Sequence, residues 1–511
     1  MPNLMPKLSS ESCRKARLSR DPRFDGKFFI GVLTTGIFCR PICPAVAPKE
    51  KNVRYFDSAV SASIAGLRPC LRCRPDSAPQ SSAWKGTQTT IERALSLIES
   101  GILSGSDAIG IEALVDKLGI TSRYLRKLFT DNFGTSPKKY AQFRDLMFAK
   151  QLLHQTHLSI TQVAFASGFN SVRRFNESFK ETLKLTPSDL RKQSKSSVSQ
   201  CGAPALEGIA LSLFLAYRPP FNWAKQMAFY KVRMVESMEW SKGEETYSRS
   251  FQIYQSKGYF EATHHKDRNG FKVNIHLSSS DDLASLKDII NQIRSVLDLD
   301  ADMVQIEAVV SSVSSVSFVK DSIITGLRLP GTWSVFEAGC RAVLGQQVSI
   351  IQATQLLNKL VNAYGETINV SGKCITLFPT PQVIANASLD ELKMPGARKA
   401  ALTALGQYVS ENPDGNTEDW LSIKGIGPWT VAYAKMRGLS DPNILLCSDL
   451  VVKKRVLKLY ENQTLEVEPK INRENTQVAL LDVDYQVLTQ QLAKQVSPWG
   501  SYLTFQLWNL E

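Results

Sequence analysis

The sequence predicts a multidomain α+β protein of four units: a small cysteine-cornered α/β domain, an all-α tandem helix-turn-helix domain, a small mixed β-sheet domain, and an all-α domain built around a helix-hairpin-helix. Three observations carry this. The chain has 511 residues, too many for one core, since single cores stop growing near about 250–300 residues. Four of its nine cysteines are grouped at positions 39, 43, 70 and 73. Hydrophobic periodicity alternates strand-like through FQIYQ, GYFEATHH and FKVNIHLS, then returns to a helical repeat after about residue 283.

Composition sets the outer bounds. With 43% hydrophobic and 21% charged residues the chain reads as an ordinary globular protein. Its longest apolar stretch, residues 208–217, is about half of what a bilayer-spanning helix needs, and its polar start lacks an apolar signal core. A cytoplasmic location and no membrane partner are expected. Charge is unevenly placed: residues 1–200 hold 31 Lys and Arg against 16 Asp and Glu, whereas residues 201–511 hold 30 against 32. A basic first part suits an anionic polymer such as double-stranded DNA, each neutralised phosphate releasing counterions; the alternative is a solvated face.

The first unit, residues 1–78, carries Cys39-x3-Cys43, an interval of 26 residues, and Cys70-x2-Cys73. Two close pairs joined by a loop can turn four sulfurs toward one tetrahedral centre, the geometry zinc prefers, with Zn–S near ~2.3 Å. Spacing alone leaves open whether such a centre only staples a small domain. The stretches FFIGVLTTGIFCRPICPAVAP and NVRYFDSAVSASIAGLRPCLRCRP closely resemble the amino-terminal domain of Ada-type methylphosphotriester-DNA methyltransferases, over residues 20–76. The resemblance implies a small zinc-bound α/β domain in which one Zn2+ is held by Cys39, Cys43, Cys70 and Cys73, with Cys39 the methyl acceptor. Zinc keeps the sulfurs as thiolates, so a nucleophile stands ready without a general base. The four thiolates outweigh the dication; alkylating Cys39 removes one negative charge, lowers repulsion toward DNA, and makes a single-use repair event a binding switch. Thr34, Thr35, Arg40 and Arg68 flank the ligands and are candidates to hold backbone phosphates, Thr35 and Arg68 matching the family pattern best.

Two stretches rich in Ser, Gln, Gly and Pro, residues 77–90 and 193–204, read as linkers. Between them, residues 88–192 contain an internal echo: Phe129 and Phe179 are 50 residues apart, and so are Pro137 and Pro187. IEALVDKLGITSRYLRKLFT at 111–130 reads as a helix, a turn at Leu118 to Thr121, and a second helix capped by Thr121 or Ser122. Leu125, Leu128 and Phe129 form its inward stripe, while Arg123, Arg126 and Lys127 face outward. The second part places Phe175 and Phe179 inward and Arg173, Arg174 and Asn176 outward. Together they resemble the two-part DNA-binding domain of AraC-type transcription activators, over about residues 90–192. That implies DNA contacts by Arg123, Arg126, Arg173 and Arg174, RNA polymerase as a further partner, and a monomer able to cover two major-groove segments.

The third unit, residues 205–290, holds the alternating strands around the turn-forming DRNG at 267–270. The fourth, residues 291–511, contains LSIKGIGPWTVAYAKMRGLSDPNILLCSDLVVKKR at 421–455. Gly425-Ile426-Gly427 between two helical patterns reads as a helix-hairpin-helix, whose glycines let backbone N–H groups approach a DNA phosphate, often with a bound monovalent cation. Asp449 follows Gly427 by 22 residues. With GLRLPGTWSVFEAGCRAVLGQQVS, FPTPQ and GSYLTFQLW, this hairpin-then-Asp arrangement resembles the AlkA-type 3-methyladenine DNA glycosylases over residues 209–508.

The resemblance makes Asp449 the carboxylate that stabilises oxocarbenium character at the sugar; an isolated Asp would otherwise read as a helix cap. It makes Trp429, Tyr433, Trp508 and Phe229 the base pocket, where electron-rich rings stack on a cationic alkylated purine. Core packing is the competing role, above all for Phe229. Trp429 stands where strand-cutting relatives carry a Lys, so a monofunctional enzyme is expected. Gln347 stands where the AlkA pattern has a wedging Leu, and Ser448 where it has a second Asp. No cysteine quartet follows Asp449, so no iron–sulfur cluster is expected, and no Pro-Cys-His-type motif points to O6-methylguanine repair.

Together the resemblances imply stoichiometric methyl transfer from DNA phosphotriesters to Cys39, methylation-enhanced sequence-specific transcription activation, and hydrolytic excision of alkylated purines such as 3-methyladenine, at the nucleoid. The alternative is a transcription activator with structural zinc and a catalytically silent glycosylase-fold module that only binds DNA.

Overall fold

A computed structural model describes residues 9–20, 24, 28–43, 45–70, 72–73, 75, 87–99, 101–104, 110–194, 209–313, 323–413, 415–467 and 477–510. Most of both predicted linkers lies outside these residues. The chain divides into two compact units, Met1–Arg144 and Asp145–Glu511.

In the first unit, α1 (Ser10–Ser19) begins where the Ser9 hydroxyl accepts the Ser12 N–H, an N-cap that satisfies one of the helix's free donors. Strands β1 (Phe29–Val32), β2 (Ile37–Cys39) and β3 (Val53–Phe56), helix α2 (Ala59–Ile64) and the short β4 (Arg68–Pro69) follow. The sheet order is β3-β1-β2-β4, with β1 antiparallel to both β2 and β3, and β2 parallel to β4. Alternation along β1 sends Phe29 into one apolar cluster with Phe38, Phe56 and Leu67, and Ile30 into another with Cys13 and Ala16 of α1. Gly31 is required there: a Cβ would come within 2.5 Å of the Leu67 and Phe56 side chains.

Helices α3 (Thr87–Glu99), α4 (Gly110–Leu118) and α5 (Ser122–Phe133) close a second core around Ala94, Ile98, Leu114, Leu125 and Phe129. Thr121, not Ser122, caps α5, accepting the Tyr124 N–H. Helix α6 (Pro137–Gln155) contains the division between the units.

The second unit opens with α7 (Ile160–Ala166), α8 (Val172–Leu183) and α9 (Pro187–Ser194), then β5 (Ile209–Ala216), α10 (Trp223–Arg233), β6 (Glu239–Lys242), β7 (Thr246–Ile253), β8 (Ser256–His265) and β9 (Gly270–Leu277). The five strands form an antiparallel sheet in the order β5-β9-β8-β7-β6. The turn predicted at DRNG joins β8 to β9, with Asn269 in the left-handed region at φ 49°. Helices α11 (Leu286–Val296), α12 (Met303–Ser311), α13 (Val335–Leu344) and α14 (Ile350–Tyr364) follow.

Among the described residues, the uninterrupted helical pattern expected beyond residue 283 is broken by one pair of strands. β10 (Thr367–Val370) and β11 (Lys373–Thr376) form a hairpin across Ser371 and Gly372, both at positive φ, which matches the twist of a two-residue hairpin. Helices α15 (Pro381–Asn386), α16 (Gly396–Glu411), α17 (Pro428–Gly438), α18 (Leu450–Val467), α19 (Gln477–Val496) and α20 (Gly500–Asn509) complete the chain.

Sheet and helices are joined by a buried ion network. The Arg249 guanidinium reaches Glu337 at 2.8 Å, and Arg341 pairs with Glu337 at 2.9 Å and Glu239 at 3.0 Å. Each charge is matched by a partner on a neighbouring element, the condition under which burial of ions is tolerated. Among the described residues no helix is long and apolar enough to cross a membrane.

Candidate functional site

The cysteine cluster is assembled by the sheet of the first unit. Cys39 ends β2 and is half-buried; the chain then turns so that Cys43 N–H donates to the Arg40 carbonyl at 3.1 Å, and Cys43 is buried. Cys70 follows β4, its N–H donating to the Phe38 carbonyl at 3.0 Å, and Cys73 is buried beneath it. The four sulfurs lie within 4.8 Å of one another. A tetrahedral zinc–thiolate centre asks for sulfurs roughly 3.8 Å apart, given Zn–S of ~2.3 Å, so this donor set fits Zn2+.

Sulfurs this close share protons: hydrogen bonds to Cys43 and Cys73, then burial, push the Cys39 thiol up, and the contact with Cys39 draws the Cys43 thiol down.

Cys39 also lines a cavity of about 220 Å³ with Arg17, Arg20 and Thr35. Thr35 and Arg68 are exposed, as a phosphate contact requires. Arg40 is not available for that role: it is buried, its backbone N–H donating to Cys73 Sγ at 3.3 Å and its Nη1 to the Cys73 carbonyl at 3.2 Å. Arg17 and Arg20 were not singled out in the sequence. Arg17 is buried against Glu50, the Tyr55 hydroxyl at 3.2 Å and the Pro48 carbonyl at 3.1 Å, whereas Arg20 holds the Ala45 carbonyl at 3.0 Å from the cavity rim.

The two helix pairs present the faces their patterns predict. Arg123 and Arg126 on α5 are exposed while Leu125 and Phe129 are fully buried. On α8, Arg173, Arg174 and Asn176 are exposed opposite buried Phe175 and Phe179; Arg173 pairs with Glu177 at 3.0 Å.

An aromatic cluster in the second unit is built by α17, α20 and the start of α18. Trp429 and Tyr433, one helical turn apart, stack at 5.3 Å and 28°, and Trp508 tilts against Tyr433 at 6.2 Å. Both indole N–H groups converge on one carboxylate: Trp429 donates to Asp449 Oδ2 at 3.1 Å and Trp508 to Oδ1 at 3.2 Å. Asp449 Oδ1 also accepts the Val451 and Val452 N–H groups, at 3.0 and 3.1 Å, so this residue caps a helix as well as meeting the two indoles.

Phe229 sits behind that wall. It is 7% exposed, one face is covered by the Arg233 guanidinium at 3.7 Å, and Phe505 meets it edge-on at 5.0 Å. Arg437, buried and not foreseen in the sequence, donates to the Tyr433 hydroxyl at 3.1 Å and holds the ring in place.

At the hairpin, Gly425 takes φ +94°, where an L side chain is strained, and Gly427 has open space where a Cβ would stand. Ile426 is buried. Gln347 is exposed at φ 56° in the loop between α13 and α14. Its neighbour Gln346 ties this loop to the hairpin, Nε2 donating to the Gly425 carbonyl at 3.0 Å and Thr430 Oγ1 at 3.2 Å.

Residues 12–76 match the metal binding domain of Ada, residues 114–193 a helix-turn-helix domain, and residues 212–334 the AlkA N-terminal domain. The chain is 32% identical over 511 residues to the "Probable bifunctional transcriptional activator/DNA repair enzyme AlkA" of Mycobacterium tuberculosis, covering 98% of this chain and 96% of that one. It is 33% identical over 174 residues to the "Bifunctional transcriptional activator/DNA repair enzyme Ada" of Escherichia coli, 34% of this chain and 47% of that one. Against the "DNA-3-methyladenine glycosylase 2" of Escherichia coli the identity is 26% over 309 residues, 58% of this chain and 96% of that one.

Proposed function

The chain belongs to the family of bifunctional transcriptional activators and DNA repair enzymes, and from that premise we propose that it couples alkylation repair to gene regulation through two separate chemistries on double-stranded DNA. It is a DNA repair enzyme and activator of the helix-turn-helix class.

In the first chemistry, Cys39 Sγ attacks the methyl carbon of a neutral phosphotriester. The S–C bond forms, the C–O bond breaks, and its electron pair leaves on the phosphate oxygen as a diester anion. Bound zinc would hold the four sulfurs as thiolates and so supply the nucleophile. Thr35 and Arg20 line the cavity beside Cys39 that takes the triester, exposed Arg68 holds a neighbouring phosphate, and Cys39 is spent after one transfer. With less negative charge at the cluster, Arg123, Arg126, Arg173 and Arg174 engage a promoter, where activation requires RNA polymerase.

In the second, an alkylated purine stacks among Trp429, Tyr433 and Trp508 while Asp449 stabilises the positive charge that develops at C1′. The N-glycosidic bond breaks, water adds to the sugar, and an abasic site and free base result. Trp429 offers no amine for a Schiff base, which supports base removal without strand cutting. Gly425 to Gly427 hold the backbone, with a monovalent cation, and Gln347 fills the gap left by the flipped nucleotide.

The observation that carries this reading is the convergence of two indole donors on the Asp449 carboxylate inside an aromatic pocket. Abasic-site formation on methylated duplex DNA tests it, with Asp449→Asn as the comparison. Release of 3-methyladenine by the unaltered chain and its loss in the variant are expected; no release by either leaves a DNA-binding module without excision.

A further inference from the structure

The boundary between DNA-binding module and repair domain that the Ser-rich linker suggests is not where the molecule divides. Asp145 to Ser194, the second helix-turn-helix half, lies in the same compact unit as the sheet and the base pocket. Leu146, Leu153, Val163, Phe175 and Phe179 belong to one continuous apolar core with Leu213, Phe260 and Leu286 of the sheet region.

Three contacts hold it there. Gln155 Oε1, at the end of α6, accepts the Phe214 N–H at 3.0 Å. Phe214 lies on β5, an edge strand of the five-stranded sheet, so this side chain satisfies a donor that the ladder leaves open. The Lys287 ammonium, at the start of α11, pairs with the mostly buried Asp145 carboxylate at 2.9 Å. Helix α7 packs against the short turn Asp281–Ser285 that follows the sheet.

This contact supplies what the repair region lacks. Residues 201–511 hold 30 basic against 32 acidic side chains, no electrostatic footing for a polyanion. Helix α8 presents Arg173, Arg174, Asn176 and Lys180 to solvent on the same unit.

We propose that the second helix-turn-helix half is a fixed part of the excision machinery, and that the α8 arginines hold the phosphates of the duplex whose damaged base the pocket removes. The module is thus divided in use as well as in packing: its second half serves repair on any sequence, besides its part in promoter recognition. The proposal rests on the excision reading above.

The test uses the full chain and two duplexes without a promoter sequence, each with one alkylated purine: a long one, and one trimmed to about one helical turn, ~10 base pairs. Arg173→Glu with Arg174→Glu is expected to raise KM for excision on the long duplex about tenfold or more, and to reduce the slope of log affinity against log salt by about two, from two lost phosphate contacts. On the trimmed duplex the variant and the parent coincide.

An unchanged KM and salt slope in the α8 variant overturns the proposal. Loss of excision by the parent chain on both duplexes would fault the excision reading instead. Fluorescence-anisotropy affinities for the same two duplexes then decide the α8 question without catalysis, on the same comparison.

Discussion

The indole N–H of Trp429 donates to Asp449 Oδ2 over 3.1 Å, while Oδ1 of the same carboxylate caps α18. One side chain therefore serves fold and chemistry together, and substitutions can separate the two. Asn keeps an acceptor for the helix N-terminus but carries no charge. Asp449→Asn is expected to lower single-turnover excision by about 10²–10³-fold with little change in the urea midpoint. Asp449→Ala should lose the rate and a further 0.5–2 kcal/mol or so of stability. Full-rate excision by Asp449→Asn would remove the carboxylate from the chemistry.

Gln347 sits at φ 56°, a conformation an L side chain adopts at a cost of about 1 kcal/mol. Strain held at an exposed loop tip beside the hairpin is consistent with a residue that enters the DNA stack. Gln347→Gly should relieve it and raise stability by up to about 1 kcal/mol. At the same time it should slow excision from duplex DNA more than from a single strand, because only the duplex needs its gap filled. Equal effects on both substrates would deny Gln347 a wedge role.

What the sequence disclosed follows from range. Helix starts were legible because caps are local: Thr121 and Tyr124 are three residues apart. The Ser371–Gly372 hairpin was locally legible too, as a two-residue turn between alternating residues, yet long helical patterns on either side masked strands of four residues each. Buried cations were not legible at all. Arg17 meets Glu50 and Tyr55, 33 and 38 positions away, and nothing in SESCRKARLS distinguishes it from a solvated helix arginine. Likewise the family resemblance named Trp429, Trp508 and Asp449, but only the fold reveals that both indoles point their N–H groups at one carboxylate.

Metal removal should unmake the first domain. Its two apolar clusters, around Phe29 and Phe28, are small, and domains of this size lean on a staple. Stripping zinc with a chelator is expected to release one ion per chain and to open the region around residues 28–73 to protease. Excision, whose proposed residues all lie in the second unit, should keep its rate. A protease pattern indifferent to the chelator would mean that the four cysteines do not hold a structural ion.

Acidity should report on Asp298, a largely buried carboxylate between α11 and α12. Its carboxylate accepts the Leu329 N–H at 2.9 Å and the Tyr502 hydroxyl at 3.0 Å. Burial nonetheless raises it to about 7, the Leu329 N–H and the Arg328 charge only partly opposing that. An unfolded aspartate titrates near ~3.9, so between the two values the folded chain binds the extra proton. Stability of the second unit is then greatest below about pH 4 from this group alone, falls as pH rises toward 7, and levels off above it, the slope approaching one proton at most. Asp298→Asn carries no titrating group and can still accept from Leu329 and Tyr502. It should flatten the curve of urea midpoint against pH between 5 and 8 and leave the variant more stable than the parent at the alkaline end, by an amount on the order of 1.4 kcal/mol per pKa unit of the shift. A parent whose stability rises with pH across that interval, with no change in slope on substitution, would show that Asp298 is ionised in the folded protein.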